Sequence, residues 1–438
     1  MSLPKVFEEV GFLLGSLFIM ILSIFAYITS TFVVESNSIV NALFDKHQSL
    51  NSDADEVDII TKLMVKNQQP FHLNRRIEYS KLSDVLFPPF LRLLFSTIFL
   101  LYFLLDLVVY ATGVPVAVVQ IFGDSVSVFG FTFTGMNLHR LIIVVFGLII
   151  TPLSLADYQK TKVLQRITLV LRICAFYTMI YLGFVFIFRG EGTPREHIPV
   201  FKWKKLPLLF GGTTYSMMCH HSLASTITPL KDHKDASTVL RRAFALMATS
   251  YVLLCSSAVF AFSSPHLPDH CDNTPGVPCR IQTLYLQNFA SYDHPFVSWM
   301  LLLFPLFIFI TLYPLIVMTL RNNLEQFLPF KPDSKLSRPF CNAFSLVVPL
   351  SIGLMTTSLK TVISLVGTFA GSWIMLGFPC LFVLYARRRA RLEFPSSFRF
   401  NTLGSSFESK FWVFLVLGFF SVVFGVNLVR VLTGSFFE

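Results

Sequence analysis

The chain predicts an all-α polytopic membrane protein, and three observations predict it. Of its 438 residues, 54% are hydrophobic and only 14% charged, with 49 phenylalanines and a mean hydropathy of +0.65. Apolar runs long enough to cross a bilayer recur from one end to the other. Basic residues gather mainly in alternate loops between those runs. The expected surroundings are therefore a lipid bilayer. The formal net charge of +10 reports topology and does not imply nucleic acid.

The runs lie at Gly11–Val34, Leu91–Phe122, Leu141–Leu155, Ile167–Phe188, Leu206–Leu230, Phe244–Phe262, Phe296–Leu320, Phe340–Leu359, Val362–Ala386 and Phe411–Leu432, about ten full spans.

The first of them is expected to be a retained helix and not a signal peptide, because it is longer than an h-region and Glu8-Glu9 stand where positive charge belongs. After it comes a polar stretch, 36–88, expected to be a cytoplasmic loop. Within it Val57, Ile60, Leu63 and Met64 recur near helical spacing beside Lys62 and Lys66, which suits either a short helix on the membrane surface or a flexible loop.

With 36–88 inside, the loops carrying Lys160 and Lys162, Lys231 and Lys234, Lys331 and Lys335, and Arg387-Arg388-Arg389 with Arg391 are cytoplasmic too. The exception is Arg189–Lys205, where Arg195, Lys202, Lys204 and Lys205 fall on the outer side. The segment Leu91–Phe122 is longer than one crossing needs and carries Gly113 and Pro115, so it is expected to tilt or break near its outer end.

Charge inside a span is costly, and each instance calls for a reason. Tyr102, Asp106 and Tyr110 are spaced i, i+4, i+8, which puts them in one polar stripe of a helix. Asp106 either serves a site or is held by a tyrosine to lock helices together. Arg172 stands six residues into its run and is explained by snorkelling. Gly367, Gly371 and Ser372 suit close helix packing.

Cysteines 174, 219, 255, 341 and 380 lie in apolar runs, whereas Cys271 and Cys279 flank a short outer loop and read as a disulfide. Two free thiols, or a metal site with His266, His270 and His294, are the alternatives. The only histidines within a span are His220 and His221. They sit in the polar interruption Tyr215-Ser216-Met217-Met218-Cys219-His220-His221-Ser222, between Gly211-Gly212 and Pro229. A membrane helix tolerates such an interruption where it lines a cavity or packs on protein, and a helix broken near the midplane marks a transporter site. Successive residues point about 100° apart, so one histidine at most is expected to face the cavity. An unwound segment exposes N–H groups for a carboxylate and carbonyls for an ammonium, the two groups of an amino acid.

Three stretches resemble the amino acid/auxin permease group of transporters, in particular its transmembrane protein 104 branch. They are Leu3-Pro4-Lys5-Val6-Phe7-Glu8-Glu9-Val10-Gly11 with Phe32-Val33-Val34-Glu35, then Asp106–Pro115, and Phe210-Gly211 through Ser222 to Thr228-Pro229. The resemblance implies a leucine-transporter-type inverted-repeat fold. Residues 1–9 would be the remnant of helix one, 11–188 the rest of the first repeat, 206–386 the second, and 411–432 an additional helix. Family members carry a further half-helix before the Leu-Pro-Lys run, so half of the central site is expected to be missing.

Carried over by the resemblance, the site would comprise Ser216, Met217, Cys219, His220, His221 and Ser222, with Ser2 and Leu3 at the start of the second half of helix one. The residues themselves add Tyr102, Asp106 and Tyr110. His221 and Asp106 are the expected proton carriers, and no cofactor or metal is expected. The functional expectation is a secondary active transporter of a small amino-acid-like substrate, coupled to H+ or Na+, in the plasma membrane or an endolysosomal one. The alternative is a non-transporting sensor or scaffold derived from such a transporter. An enzyme is disfavoured, because the remaining histidines are scattered and form no cluster.

Overall fold

The computed structural model describes residues 2–50, 70–128, 130–155, 162–230, 232–268, 279–290, 292, 294–328, 336–395, 397–398 and 401–434. Among them nine helices are long and apolar enough to cross a membrane. The tenth expected span, Leu206–Leu230, is interrupted and so is not one continuous helix. In chain order the helices are α1 (Leu3–Val10), α2 (Phe12–Leu50), α3 (Tyr79–Leu86), α4 (Pro89–Phe122), α5 (Gly135–Leu155), α6 (Lys162–Phe188), α7 (Leu206–Met217), α8 (Leu223–Ile227), α9 (Ala236–Phe262), α10 (Pro295–Phe327), α11 (Ser337–Met355), α12 (Leu359–Leu365), α13 (Phe378–Glu393) and α14 (Lys410–Leu432). The chain is an integral, multi-pass membrane protein.

Several expectations need correction. α2 does not end near Val34 but continues to Leu50, deep into the stretch expected to be a loop. It can do so because Ser36, Asn37, Ser38 and Asn41 are buried and return their polar groups to carbonyls of α2 itself. The expected surface helix around Val57 lies outside the described residues. α4 passes through Gly113 and Pro115 without a break. A Cβ at Gly113 would lie 2.7 Å from the Phe309 ring, so this glycine serves close packing against α10. A small antiparallel hairpin, Ser125–Val128 with Phe131–Thr134, joins α4 to α5, an element the apolar pattern does not announce.

Of the expected Cys271–Cys279 pair, Cys271 lies outside the described residues, and Cys279 is not a free thiol. Cysteines 174, 219, 255, 341 and 380 are free thiols.

Two packing groups position the site. α2 packs mainly on α9 and α13, with α1 wedged against α7 and α9, while α4 packs mainly on α10 and α11. At the α1–α2 junction Gly11 has φ of 97°, and a Cβ there would lie 2.6 Å from the Val200 carbonyl carbon. The junction is pinned by the basic outer stretch, since Phe12 and Leu13 donate to the Pro199 and Val200 carbonyls and Lys202 donates to that of Val10. α7 meets the turn after α12 through Gly211 and Gly367, where a Cβ on Gly367 would stand 1.9 Å from the Gly211 carbonyl oxygen.

That turn, Val366–Gly371, is π-helical, as is Trp373–Gly377. π-helical turns inside α-helices concentrate at functional positions. Tyr79 on α3 donates 2.8 Å to the Ile374 carbonyl in the second of them. The basic run expected as a loop is helical within α13, and Arg387 is buried. It forms a two-pronged pair with Glu35 at 2.7 and 2.8 Å and donates to the Glu408 and Phe407 carbonyls.

Candidate functional site

α7 stops at Met217, Met218 and Cys219 are non-helical, and one tight turn, His220–Ser222, leads into α8. The break frees backbone groups that lipid cannot satisfy. Protein takes them up: Tyr251 of α9 donates 3.1 Å to the Ser216 carbonyl, and both the amide and the hydroxyl of Ser222 donate to that of Cys219.

The turn sends the two histidines in different directions. His220 is fully buried, with Nε2 2.9 Å from the Thr29 hydroxyl and 3.1 Å from the Ala26 carbonyl of α2. His221 lies on a cavity wall, its ring 5.7 Å from that of Tyr102 and 5.8 Å from that of Phe103. Its Nδ1 has no hydrogen-bond partner.

That cavity measures about 790 Å³ and is walled by α4, α6, the α7–α8 break and α10. Tyr102, Asp106, Tyr110, Ser216, His221 and Ser222, six of the sequence-derived candidates, share it. Its rim carries Arg76, Glu78, Asn322, Asn323 and Gln326, on the side expected to be cytoplasmic. A second cavity of about 280 Å³ holds Ser2 among mainly apolar walls such as Phe176, Leu286, Phe304 and Ile363. The candidates Leu3 and Met217 are buried in the core, and His220 and Cys219 reach neither cavity.

Between the cavities stands a layer of four residues that line both: Tyr110, Arg172, Tyr215 and Ser216. The Tyr215 hydroxyl donates 2.5 Å to Asp106 Oδ1, tying the broken helix to α4. Neither Tyr215 nor Arg172 is among the site candidates of the sequence. Tyr215 opens the polar interruption and is the one tyrosine in it, a signal that could have marked it; Arg172 reads from the sequence as a snorkelling charge, and what adds a site role is the cavities it lines.

A broken span that faces a polar cavity inside a multi-pass membrane protein is the arrangement expected of a small-solute carrier. The transmembrane amino acid transporter protein family matches residues 1–431. Similar curated proteins include the transmembrane protein 104 homolog of Dictyostelium discoideum, 29% identical over 95% of this chain and 90% of that protein. The transmembrane protein 104 homolog of Drosophila melanogaster is 27% identical and transmembrane protein 104 of Homo sapiens 28%, with the same coverage. The chain belongs to the transmembrane amino acid transporter protein family, in its transmembrane protein 104 branch. That is a family of transporter type and not of enzymes.

Proposed function

We propose that this protein is a secondary active transporter of a small amino-acid-like substrate, working by alternating access and driven by protons or sodium. The observation that carries the proposal is the pair of cavities on either side of one shared layer, Tyr110, Arg172, Tyr215 and Ser216. Substrate enters one cavity, the layer closes behind it, and the other cavity opens.

The packing groups supply the moving parts. The group built on α2, α7 and α9 carries the broken helix, and the group built on α4, α10 and α11 carries Asp106, with the wide cavity between them. Such an arrangement suits a leucine-transporter-type fold, with 11–188 and 206–386 as inverted repeats and 411–432 appended. Asp106 and His221 are the proton-carrying candidates, because both stand on the wall of the wide cavity and each can exchange a proton with the water in it.

The test is uptake of a radiolabelled amino-acid panel into proteoliposomes under an imposed inward proton gradient and, separately, a sodium gradient. Accumulation that a protonophore or a sodium ionophore collapses supports the proposal and names the ion. No accumulation under either gradient, with folded protein in the membrane, overturns it and leaves a ligand-binding sensor as the role to test.

A further inference from the structure

We propose that Arg172 is the anion anchor of this site: its guanidinium pairs with a carboxylate on the transported molecule, so the cargo must carry one. The inference rests on the transport proposal above and adds the chemistry that selects the cargo.

The first support is depth and direction. Arg172 is ten residues from the start of α6, about 15 Å at 1.5 Å per residue, which puts it well inside the helix. Thr168, Ala175, Met179, Leu182 and Phe186 form the buried stripe of α6, and Arg172 stands on the same face, four residues after Thr168 and three before Ala175, with its own side chain exposed. Leu169, Val170, Ile173 and Tyr177 occupy the outward face. A snorkelling arginine lies along lipid toward an interface, whereas this one lines both cavities.

The second support is the missing partner. Arg172 forms no hydrogen bond or ion pair with any described residue. The buried Arg387, by contrast, is paired with Glu35, and the part-exposed Lys360 with Glu9. A guanidinium does not shed its charge, so one that is exposed on a cavity wall without a partner is open to an anion. Among the described residues Arg172 is the only charged side chain on the small cavity. On the wide one the charged groups facing it are Asp106 across from it and Arg76 and Glu78 at the rim, with His221 on the broken helix. The Asp106 carboxylate is engaged by Tyr215, and Tyr110 lies within the electrostatic reach of both Asp106 and Arg172. A zwitterion with its ammonium toward Asp106 and its carboxylate on Arg172 would satisfy both charges, and the planar fork of a guanidinium matches a carboxylate in two bonds.

The test measures binding apart from flux. Purified full-length protein is titrated with neutral L-amino acids, their carboxamides and their decarboxylated amines, with thermal stabilisation as the readout. The wild type should bind the acids and lose affinity when the carboxylate is removed. Arg172→Gln should weaken acid binding roughly ten- to a hundredfold while leaving the weak binding of amides and amines unchanged. Should the Gln variant fail to fold, Arg172→Lys, which keeps the charge and loses the fork, should show a smaller weakening in the same direction. Equal binding of acids and amides, an unchanged acid affinity in a folded variant, or no binding of any acid overturns the inference. Uptake of amines alone would leave the transport proposal standing and remove the anchor. Arg172-dependent binding of acids without uptake would do the reverse.

Discussion

The two cavities differ in size and chemistry, and the difference locates the barrier to passage. The wide one, about 790 Å³, has hydroxyls, amides and charges from rim to floor. The small one, about 280 Å³, is walled mostly by aliphatic and aromatic side chains, with Arg172 as its one charge. A polar solute therefore finds hydrogen-bonding partners along the wide side and few along the small one. Next in sequence to Leu359, which lines the small cavity, Lys360 donates to Glu9 and clasps the start of α12 to α1. The structure thus has one polar cavity and one apolar one, with the Tyr215–Asp106 contact beside the layer they share.

The largest expected effect comes from breaking that contact. Asp106→Asn keeps the shape and removes the charge, so the Tyr215 contact weakens and the proposed ammonium partner is lost. Uptake should fall to the background of empty vesicles while the thermal midpoint stays within about 3 °C, since Asn keeps the volume of this buried side chain and an acceptor for the Tyr215 hydroxyl. Retained gradient-driven uptake would show that the carboxylate is a helix lock and not part of the site.

The neighbouring histidines sharpen the comparison, because only one of them faces a cavity. His220→Ala removes a fully buried ring with two hydrogen-bond partners on α2, and the expected cost is about 1–3 kcal/mol, read as a lower thermal midpoint. His221→Ala empties a wall position and should cost far less stability while impairing uptake. The reversed pattern, with His221→Ala destabilising and His220→Ala silent, would mean that the break is turned the other way.

How much of this could be read in advance differs between spans and site. Membrane spans follow from local hydropathy, and so nine of the ten apolar runs appear as continuous helices while the tenth, the one with the polar interruption, is broken. The stripe of Tyr102, Asp106 and Tyr110 depends only on helical spacing and is found on one wall. What escaped depends on partners distant in sequence. The extension of α2 to Leu50 is stabilised by burial of Ser36 to Asn41 and by the pairing of Glu35 with Arg387, 352 residues away. The split between His220 and His221 depends on where Thr29 and Ala26 stand. That Arg172 lines both cavities depends on how α6 packs beside α4 and the broken helix, which hydropathy does not register.

The smallest expected effect tests the clasp between α1 and α12. Lys360→Ala removes the clasp to Glu9, a pair about a quarter exposed on each side, so its contribution is that of a partly solvated ion pair, about 0.2–1 kcal/mol. Loss of that much closing energy should raise the population open at the small cavity by about fivefold at most. Leu286, on the wall of that cavity, gives the readout as Leu286→Cys in a background whose native free thiols are replaced. Labelling by a membrane-impermeant thiol reagent applied from that side should speed up a few-fold when Lys360→Ala is added. Glu9→Gln should act in the same direction, and the double variant should add little to either alone, because both remove one interaction. Additive effects would mean that Lys360 and Glu9 act through separate neighbours and that their contact is not what holds α12 to α1.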